Sequence, residues 1–123
     1  MKEIILSIKP QYVERIINGT KKFEYRTRIP KSNINKIIIY SSYPVKKIIA
    51  EVDVLKVLKL ITPEELWEST KDFGGIDKSS YDKYFEGRDI AYAYKLGEIK
   101  EFIEPKSLND YGINYAPQSF IYI

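Results

Sequence analysis

Three charged residues lie close together where a short predicted helix gives way to a strand. They are Lys21, Glu24 and Arg26. Arginine binds phosphate through paired N–H donors, and a carboxylate two residues away on the same strand face can orient it or accept a hydrogen bond from a base amine. Lysine can contact a phosphate directly, or act as a general base if its pKa falls from ~10.4 towards ~7–8. The segment therefore predicts a site for a phosphate-bearing ligand, with catalysis by Lys21 and Glu24 as an alternative.

The alternation of side chains along a strand separates Lys21 from Glu24 unless the strand begins irregularly. Odd and even positions of a regular strand face opposite sides of the sheet. A turn or bulge at Gly19 and Thr20 would release Lys21 from that alternation. Glu24 and Arg26 could also form an ordinary solvated surface pair, worth about 0–1 kcal/mol. Both interpretations are open at this point.

Five further residues are candidates for ligand contact because of their charge or their place at the end of a strand. They are Lys9, Lys22, Arg28, Ser41 and Ser42. Lys22 and Arg28 share the strand face of Glu24 and Arg26, and Lys9 directly follows the first predicted strand. An exposed lysine is more often simply solvated, and a serine at a strand end more often forms a turn. These five residues are secondary candidates.

The composition excludes several kinds of chemistry. The 123 residues contain no cysteine and no histidine. This excludes disulfide frameworks, zinc centres built from Cys and His, Ser-His-Asp triads and Cys-His dyads. Glu51 and Asp53 share a strand face, but two carboxylates alone do not predict a metal site. We therefore expect neither a metal nor a cofactor.

The charge balance favours a polyanionic partner. Lysine and arginine number 20 against 17 aspartate and glutamate residues, which gives a net charge of +3. This is a mild bias, weaker than that of proteins that package DNA. The N-terminal segment lacks the apolar core of a signal peptide, and no stretch is long enough to span a bilayer. We therefore expect a cytoplasmic protein without a membrane partner.

Short strands outnumber helices in the predicted element order, β-α-β-β-β-α-α-β-β-β. Predicted strands cover residues 4–8, 20–28, 34–42, 46–60, 90–96, 99–103 and 119–123, and predicted helices begin near Pro10, Thr62 and Asp77. The helices are too brief to act as parallel crossovers throughout, which favours an α+β fold with a mixed β-barrel flanked by short helices. No repeat, low-complexity tract or linker divides the chain, so residues 1–123 are predicted to form a single domain.

The segment Gly19–Arg26 matches a known sequence pattern. It resembles the G-x-K-x-x-E-x-R signature of ASCH domains, which belong to the PUA-like superfamily. Three other stretches are similar to the same family. They are Leu6–Pro10, Ile37–Ser42 and Pro117–Phe120, the last resembling the ending of a small archaeal, bacterial and phage branch of candidate transcriptional regulators. The resemblance spans nearly the whole chain.

The resemblance implies a PUA-like barrel with a cleft lined by the motif, the first helix and neighbouring strands. Members of the family include RNA-binding modules, coactivator domains, ribonucleases and amidohydrolases that act on an acetylated cytidine. In the amidohydrolases the lysine that matches Lys21 is catalytic, but a threonine stands where this chain has Glu24. This chain also has Ala50 where many relatives have glycine. The difference at Glu24 argues against the specific amidohydrolase activity.

We therefore expect an RNA- or nucleotide-binding domain of this family, with single-stranded RNA or a nucleotide as ligand and DNA as a further candidate partner. Its central residues would be Lys21, Glu24 and Arg26. A small hydrolase acting on RNA or a modified nucleoside is the first alternative, with Lys21 as base and Glu24 as acid or as the group that orients water. A protein-interaction module without chemistry is the second alternative. The sequence leaves open whether the chain is an enzyme and how many copies associate.

Overall fold

A mixed six-stranded sheet runs through the computed structural model, which describes residues 2–123. Its strands are β1 (Lys2–Ile8), β2 (Phe23–Arg26), β3 (Ile34–Ser41), β4 (Lys47–Ile61), β5 (Ala91–Lys106) and β6 (Phe120–Tyr122). The helices are α1 (Pro10–Ile17), α2 (Pro63–Thr70) and α3 (Lys78–Tyr84), with single 3-10 turns at Lys71–Phe73 and Leu108–Tyr111. The strand order is β2-β5-β4-β3-β1-β6, and the sheet curls into a half-barrel. The predicted α+β fold with a barrel-like mixed sheet and short flanking helices is confirmed.

Strand β1 is apolar on both faces because it lies inside the sheet. It pairs in parallel with β3 and antiparallel with β6. Ile4 and Leu6 pack into the main core, whereas Ile5 packs on the opposite face with Ile38 and Ile48. A strand buried on both faces needs a continuous apolar run rather than alternation, as the sequence of β1 has.

Helix α1 connects β1 to the motif segment and determines where that segment begins. Pro10 occupies its first turn, where a missing N–H is tolerated, and Val13 and Ile16 pack into the main core. Gly19 follows the helix with a φ of +87°, a left-handed conformation that favours glycine. The chain therefore reverses at Gly19 and enters β2 from the loop 20–22.

Helices α2 and α3 cover the outer face of β2. Tyr25 of β2 packs edge-to-face on Tyr81 of α3, with ring centroids 5.0 Å apart, and Leu66 of α2 lies in the same cluster. The Thr62 hydroxyl accepts a hydrogen bond from the Glu65 N–H and so caps α2, a helix that was predicted to begin near Thr62. Within residues 2–123, no helix is both long enough and apolar enough to cross a bilayer.

Two predicted boundaries were wrong. The separate strands expected at 90–96 and 99–103 form one strand, β5, which runs from Ala91 to Lys106. Gly97 does not end this strand; a Cβ there would lie 2.8 Å from Leu55 Cδ2, so glycine lets β5 pass close to β4 where the pairing register shifts. The strand expected over 20–28 is limited to Phe23–Arg26, because the residues before it make turn and cross-loop hydrogen bonds instead.

Candidate ligand-binding site around Lys21, Glu24 and Arg26

The loop 20–22 brings Lys21 to the same side of β2 as Glu24. The Lys21 N–H donates to the Arg15 carbonyl at 2.9 Å, so Lys21 lies outside the regular strand. Its Nζ lies 3.8 Å from Oε1 of Glu24. The irregular start anticipated at Gly19 and Thr20 therefore brings Lys21 to Glu24, from which strict alternation would have separated it.

Glu24 and Arg26 form a partly buried pair with fixed geometry. Arg26 donates from Nε at 3.1 Å and from Nη2 at 2.9 Å to the same carboxylate oxygen, Oε2 of Glu24. Arg26 Nη2 also donates to the Ser7 carbonyl at 2.7 Å, which ties the guanidinium to β1. The side chains are only 14% and 9% exposed, so this pair is more than a solvated surface contact.

Lys21 is a buried cation held between polar and aromatic groups. Its residue exposure is 3%, and Nζ donates to the Gly74 carbonyl at 2.8 Å. The same Nζ lies 5.3 Å from the ring centroid of Tyr12 and 4.8 Å from that of Tyr25. Burial lowers the pKa of Lys21, the Glu24 carboxylate raises it in part, and the nearby guanidiniums of Arg26 and Arg15 lower it again, so that the pKa lies below its ordinary value.

The segment Phe73–Gly75, here called the strap, covers Lys21. All three of its carbonyls accept hydrogen bonds: Phe73 from the Lys22 N–H at 2.7 Å, Gly74 from Lys21 Nζ at 2.8 Å and Gly75 from Arg15 Nη1 at 2.8 Å. Gly75 has a φ of +64°, and a Cβ there would lie 2.7 Å from Lys21 Cγ. Glycine at position 75 therefore lets the backbone lie directly on the lysine side chain.

A cavity of about 530 Å³ opens beside these residues. Its basic side chains are Lys9, Lys21, Arg26 and Lys83, and its one acidic side chain is Glu24, which leaves three net positive charges. Tyr12, Tyr25 and Tyr84 contribute aromatic surface to the same walls. The cavity thus combines a positive charge with aromatic surface, which suits an anionic ligand with a planar ring.

The structure separates the secondary candidates from this cavity, with one exception. Lys9 lines the cavity. Lys22 points away, with its Nζ 5.0 Å from the ring centroid of Phe73. Arg28 is exposed outside the cavity, Ser41 is 2% exposed within the β1–β3–β4 pairing, and Ser42 donates its N–H to the Ile8 carbonyl at 3.0 Å.

Several cavity residues were not singled out from the sequence. Tyr12 lies on α1, which the family resemblance already identifies as one wall of the cleft, so its ring could have been named. Lys83 and Tyr84 lie on α3, far along the chain, and only the packing of α3 against β2 brings them to the site. No local pattern could have identified them. Among residues 2–123, no three His, Cys, Asp or Glu side chains come together as metal ligands.

Comparison with known proteins agrees with the motif and the fold. The family model of the ASCH domain matches residues 6–102, which include β1, the motif and most of β5. The chain belongs to the ASCH domain family. The crystal structure of ASCH from Zymomonas mobilis superposes on this ASCH domain with a TM-score of 0.89, at 28% identity, covering 99% of this chain and 87% of that one. The N-terminal domain of Staphylothermus marinus McrB has the same fold at 15% identity, with a TM-score of 0.53 over 88% of this chain and 77% of that one.

Two curated relatives differ in how much of their length this ASCH domain spans. An ASCH domain-containing ribonuclease of Zymomonas mobilis is 29% identical over 119 residues, which are 94% of this chain and 80% of that protein. Large ribosomal subunit protein uL22 of Ureaplasma parvum is 26% identical over 122 residues, 98% of this chain. The chain spans only 39% of the length of that ribosomal protein.

Proposed function

We propose that this ASCH domain binds single-stranded RNA and seats one nucleotide in the cavity beside Lys21, Glu24 and Arg26. One observation carries the proposal. Two cations flank one carboxylate within 3.8 Å, in the wall of a 530 Å³ cavity that also presents tyrosine rings. A nucleotide offers the complementary groups, because its phosphate is an anion and its base is a planar ring with polar edges.

The donors around the cavity still have capacity for a ligand. Among residues 2–123, the protein partners of Arg26 are bonded to Nε and Nη2, which leaves the two N–H groups of Nη1 for a phosphate oxygen. Lys21 has three N–H donors and directs one of them to the Gly74 carbonyl. Lys9 and Lys83 add charge around the phosphate, and the base can stack on Tyr12 or Tyr84.

One relative supports an RNA ligand. A ribonuclease of the same family matches along most of both chains. The sequence of this chain carries the family motif without the threonine that acetylcytidine amidohydrolases have in place of Glu24. RNA is therefore favoured over a modified nucleoside.

A matched pair of lysine variants tests this proposal. Lys21→Met keeps the length of the buried side chain but removes its charge, whereas Lys31→Met makes the same change at an exposed lysine outside the cavity. Titration of a fluorescent oligouridylate should show Lys21→Met weakened by about 1.5–3 kcal/mol, as expected for hydrogen bonds to a charged group. Lys31→Met should bind like the wild type. Equal affinities for both variants, or no binding by the wild type at low salt, would refute the proposal.

Cleavage of RNA is a second candidate, because the pKa of Lys21 is lowered by burial. An uncharged Lys21 amine would accept the proton of a ribose 2′-hydroxyl. The resulting oxygen bonds to the adjacent phosphorus, the bond from phosphorus to the 5′-oxygen breaks, and water protonates the leaving oxygen. Glu24 accepts two hydrogen bonds from Arg26, which suits it to orient the phosphate-binding guanidinium rather than to donate a proton.

The pH dependence of cleavage tests this second candidate. The rate should rise with pH until Lys21 has lost its proton and then level off. Glu24→Gln removes the carboxylate that raises the pKa of Lys21, so the plateau should be reached at a lower pH. Lys21→Met should cleave no RNA. Cleavage products that persist in Lys21→Met, or their absence from wild-type reactions, would rule out this mechanism and leave binding alone.

A further inference from the structure

A second cavity lies on the other side of Lys21 and has no role in the site described above. Its volume is about 670 Å³, and Lys21 contributes to the walls of both cavities. Leu55 and Phe73 supply apolar wall, with Phe73 49% exposed. Apart from Lys21, whose charge is counted in the first cavity, the basic residues Lys22 and Lys95 outnumber the single acidic residue, Asp72.

Two lysines face each other across neighbouring strands beside the second cavity. Lys95 of β5 lies directly opposite Lys56 of β4 in the strand pairing, and both are exposed. Like charges facing each other across a ladder destabilise the sheet. Among residues 2–123, no carboxylate lies within 4.0 Å of either ammonium. Lys22, whose carbonyl accepts from the Leu96 N–H at 2.9 Å, adds a third cation beside this pair.

An aromatic ring is available next to these lysines. The Phe73 side chain lies in the strap, and its ring centroid is 5.0 Å from Lys22 Nζ. Its exposure is about half, although a phenylalanine is usually buried. Exposed rings beside a row of unpaired cations are the elements that single-strand binders use, since bases stack on the ring while the cations neutralise phosphates.

We infer that the second cavity binds the neighbouring nucleotide of the same RNA strand, with its base on Phe73 and its phosphate beside Lys22 and Lys95. Lys21 lies in the walls of both cavities, which places the two nucleotides on either side of one residue. A phosphate there also relieves the repulsion between Lys56 and Lys95. The inference rests on the proposed function, because it extends the strand seated beside Glu24 and Arg26.

The inference predicts that ligand length matters. A mononucleotide should bind in the first cavity alone, whereas an oligouridylate should bind to both. Phe73→Ala should weaken oligouridylate binding by about 5- to 150-fold, the effect of losing one base stack. Lys95→Ala, which changes a residue outside the first cavity, should leave uridine monophosphate binding unchanged. Lys95→Ala should reduce the salt dependence of oligouridylate binding by about 0.7 in log–log slope.

Two controls match these variants in chemistry but not in position. Tyr115→Ala removes an exposed ring, and Lys31→Ala removes an exposed lysine; neither residue lines either cavity. Both should bind oligouridylate like the wild type. Wild-type binding of oligouridylate that Phe73→Ala and Lys95→Ala leave unaltered would overturn this inference alone. Failure of the wild type to bind either ligand would overturn the proposed function and this inference with it.

Discussion

At the scale of single residues, two buried tyrosines differ in whether their hydroxyl groups are hydrogen-bonded. Tyr25 and Tyr94 are both almost fully buried, but only Tyr25 has a partner for its hydroxyl. The Thr70 hydroxyl donates to the Leu66 carbonyl at 2.7 Å, so it accepts from Tyr25 at 2.6 Å. The hydroxyl of Tyr94 has no hydrogen-bond partner among residues 2–123.

The two tyrosines should therefore respond in opposite directions to loss of the hydroxyl. Tyr25→Phe removes a buried hydrogen bond and should lower the free energy of unfolding by about 1 kcal/mol. Tyr94→Phe removes an unsatisfied group and should leave the free energy of unfolding unchanged or raise it by up to about 1 kcal/mol. Urea unfolding of both variants measures the difference. A loss for Tyr94→Phe as large as that for Tyr25→Phe would contradict this assignment.

The same tyrosines predict how stability depends on alkaline pH. Burial raises the pKa of Tyr25 to about 12 and that of Tyr94 to about 12, whereas an unfolded tyrosine titrates near ~10. A group whose pKa is higher in the folded state contributes stability that is fully present below pH ~10 and is lost as the pH rises from ~10 towards ~12. The unfolding free energy of the wild type should fall over that range. The fall should be smaller in Tyr25→Phe and in Tyr94→Phe. An identical pH profile in both variants and the wild type would show that these tyrosines do not cause the fall in unfolding free energy.

At the scale of elements, the strap and the loop 20–22 place Lys21 beside Glu24, which a regular strand would not do. Lys21 reaches Glu24 because the chain reverses at Gly19, and the strap then fixes Lys21 from above through the Gly74 carbonyl. Gly75 has to be glycine for two reasons, its φ of +64° and its closeness to the Lys21 side chain. The strap is therefore a positioning element for the site.

A glycine control separates these two reasons. Gly87 has a similar φ of +77° but open space around it, so Gly87→Ala should cost only the backbone strain, about 1–2 kcal/mol. Gly75→Ala adds a steric conflict with Lys21 and should cost at least about 1 kcal/mol more. Chemical denaturation compares the two variants. Equal losses of unfolding free energy in the two variants would mean that the strap is not in close contact with the Lys21 side chain.

Local patterns predicted most elements, but not the contacts between distant ones. The apolar run of β1, the end of α1 at Gly19 and the Thr62 cap are all readable from neighbouring residues. The joining of two predicted strands into β5 was missed because Gly97 serves close packing on Leu55, a contact that depends on β4. The central motif was predictable from its spacing, whereas the strap and the contribution of Tyr84 depend on how α2 and α3 fold back over β2.

At the scale of the whole molecule, the net charge of +3 is less informative than its distribution. Basic residues surround the first cavity and continue past Lys21 to the row of Lys22, Lys56 and Lys95. Carboxylates are present in both cavities but are outnumbered. A domain with this distribution should hold a few phosphates rather than coat a long polyanion.

The salt dependence of RNA binding should reflect that small number of phosphates. A plot of log affinity against log salt should have a slope of about −2 to −4, at ~0.7 per phosphate of a single strand. Lys9→Met should make the slope shallower by about 0.7, because Lys9 lines the first cavity, and Lys31→Met should leave it unchanged. Filter binding or anisotropy at several salt concentrations measures the slope. Affinity that does not vary with salt would contradict phosphate recognition.

RNA bound as proposed lies against the loop 20–22, the start of β2 and the strap, and NMR can test this placement. Amide resonances of the isotope-labelled protein can be followed by NMR as oligouridylate is added. We expect the largest shifts at the residues that form the first cavity and cover Lys21. These are Ser7, Tyr12, Lys21, Glu24, Arg26, Gly74, Gly75 and Tyr84. Shifts confined to the far end of the β4–β5 pair, around Ile48 and Lys106, with none at Lys21 or Glu24, would contradict it.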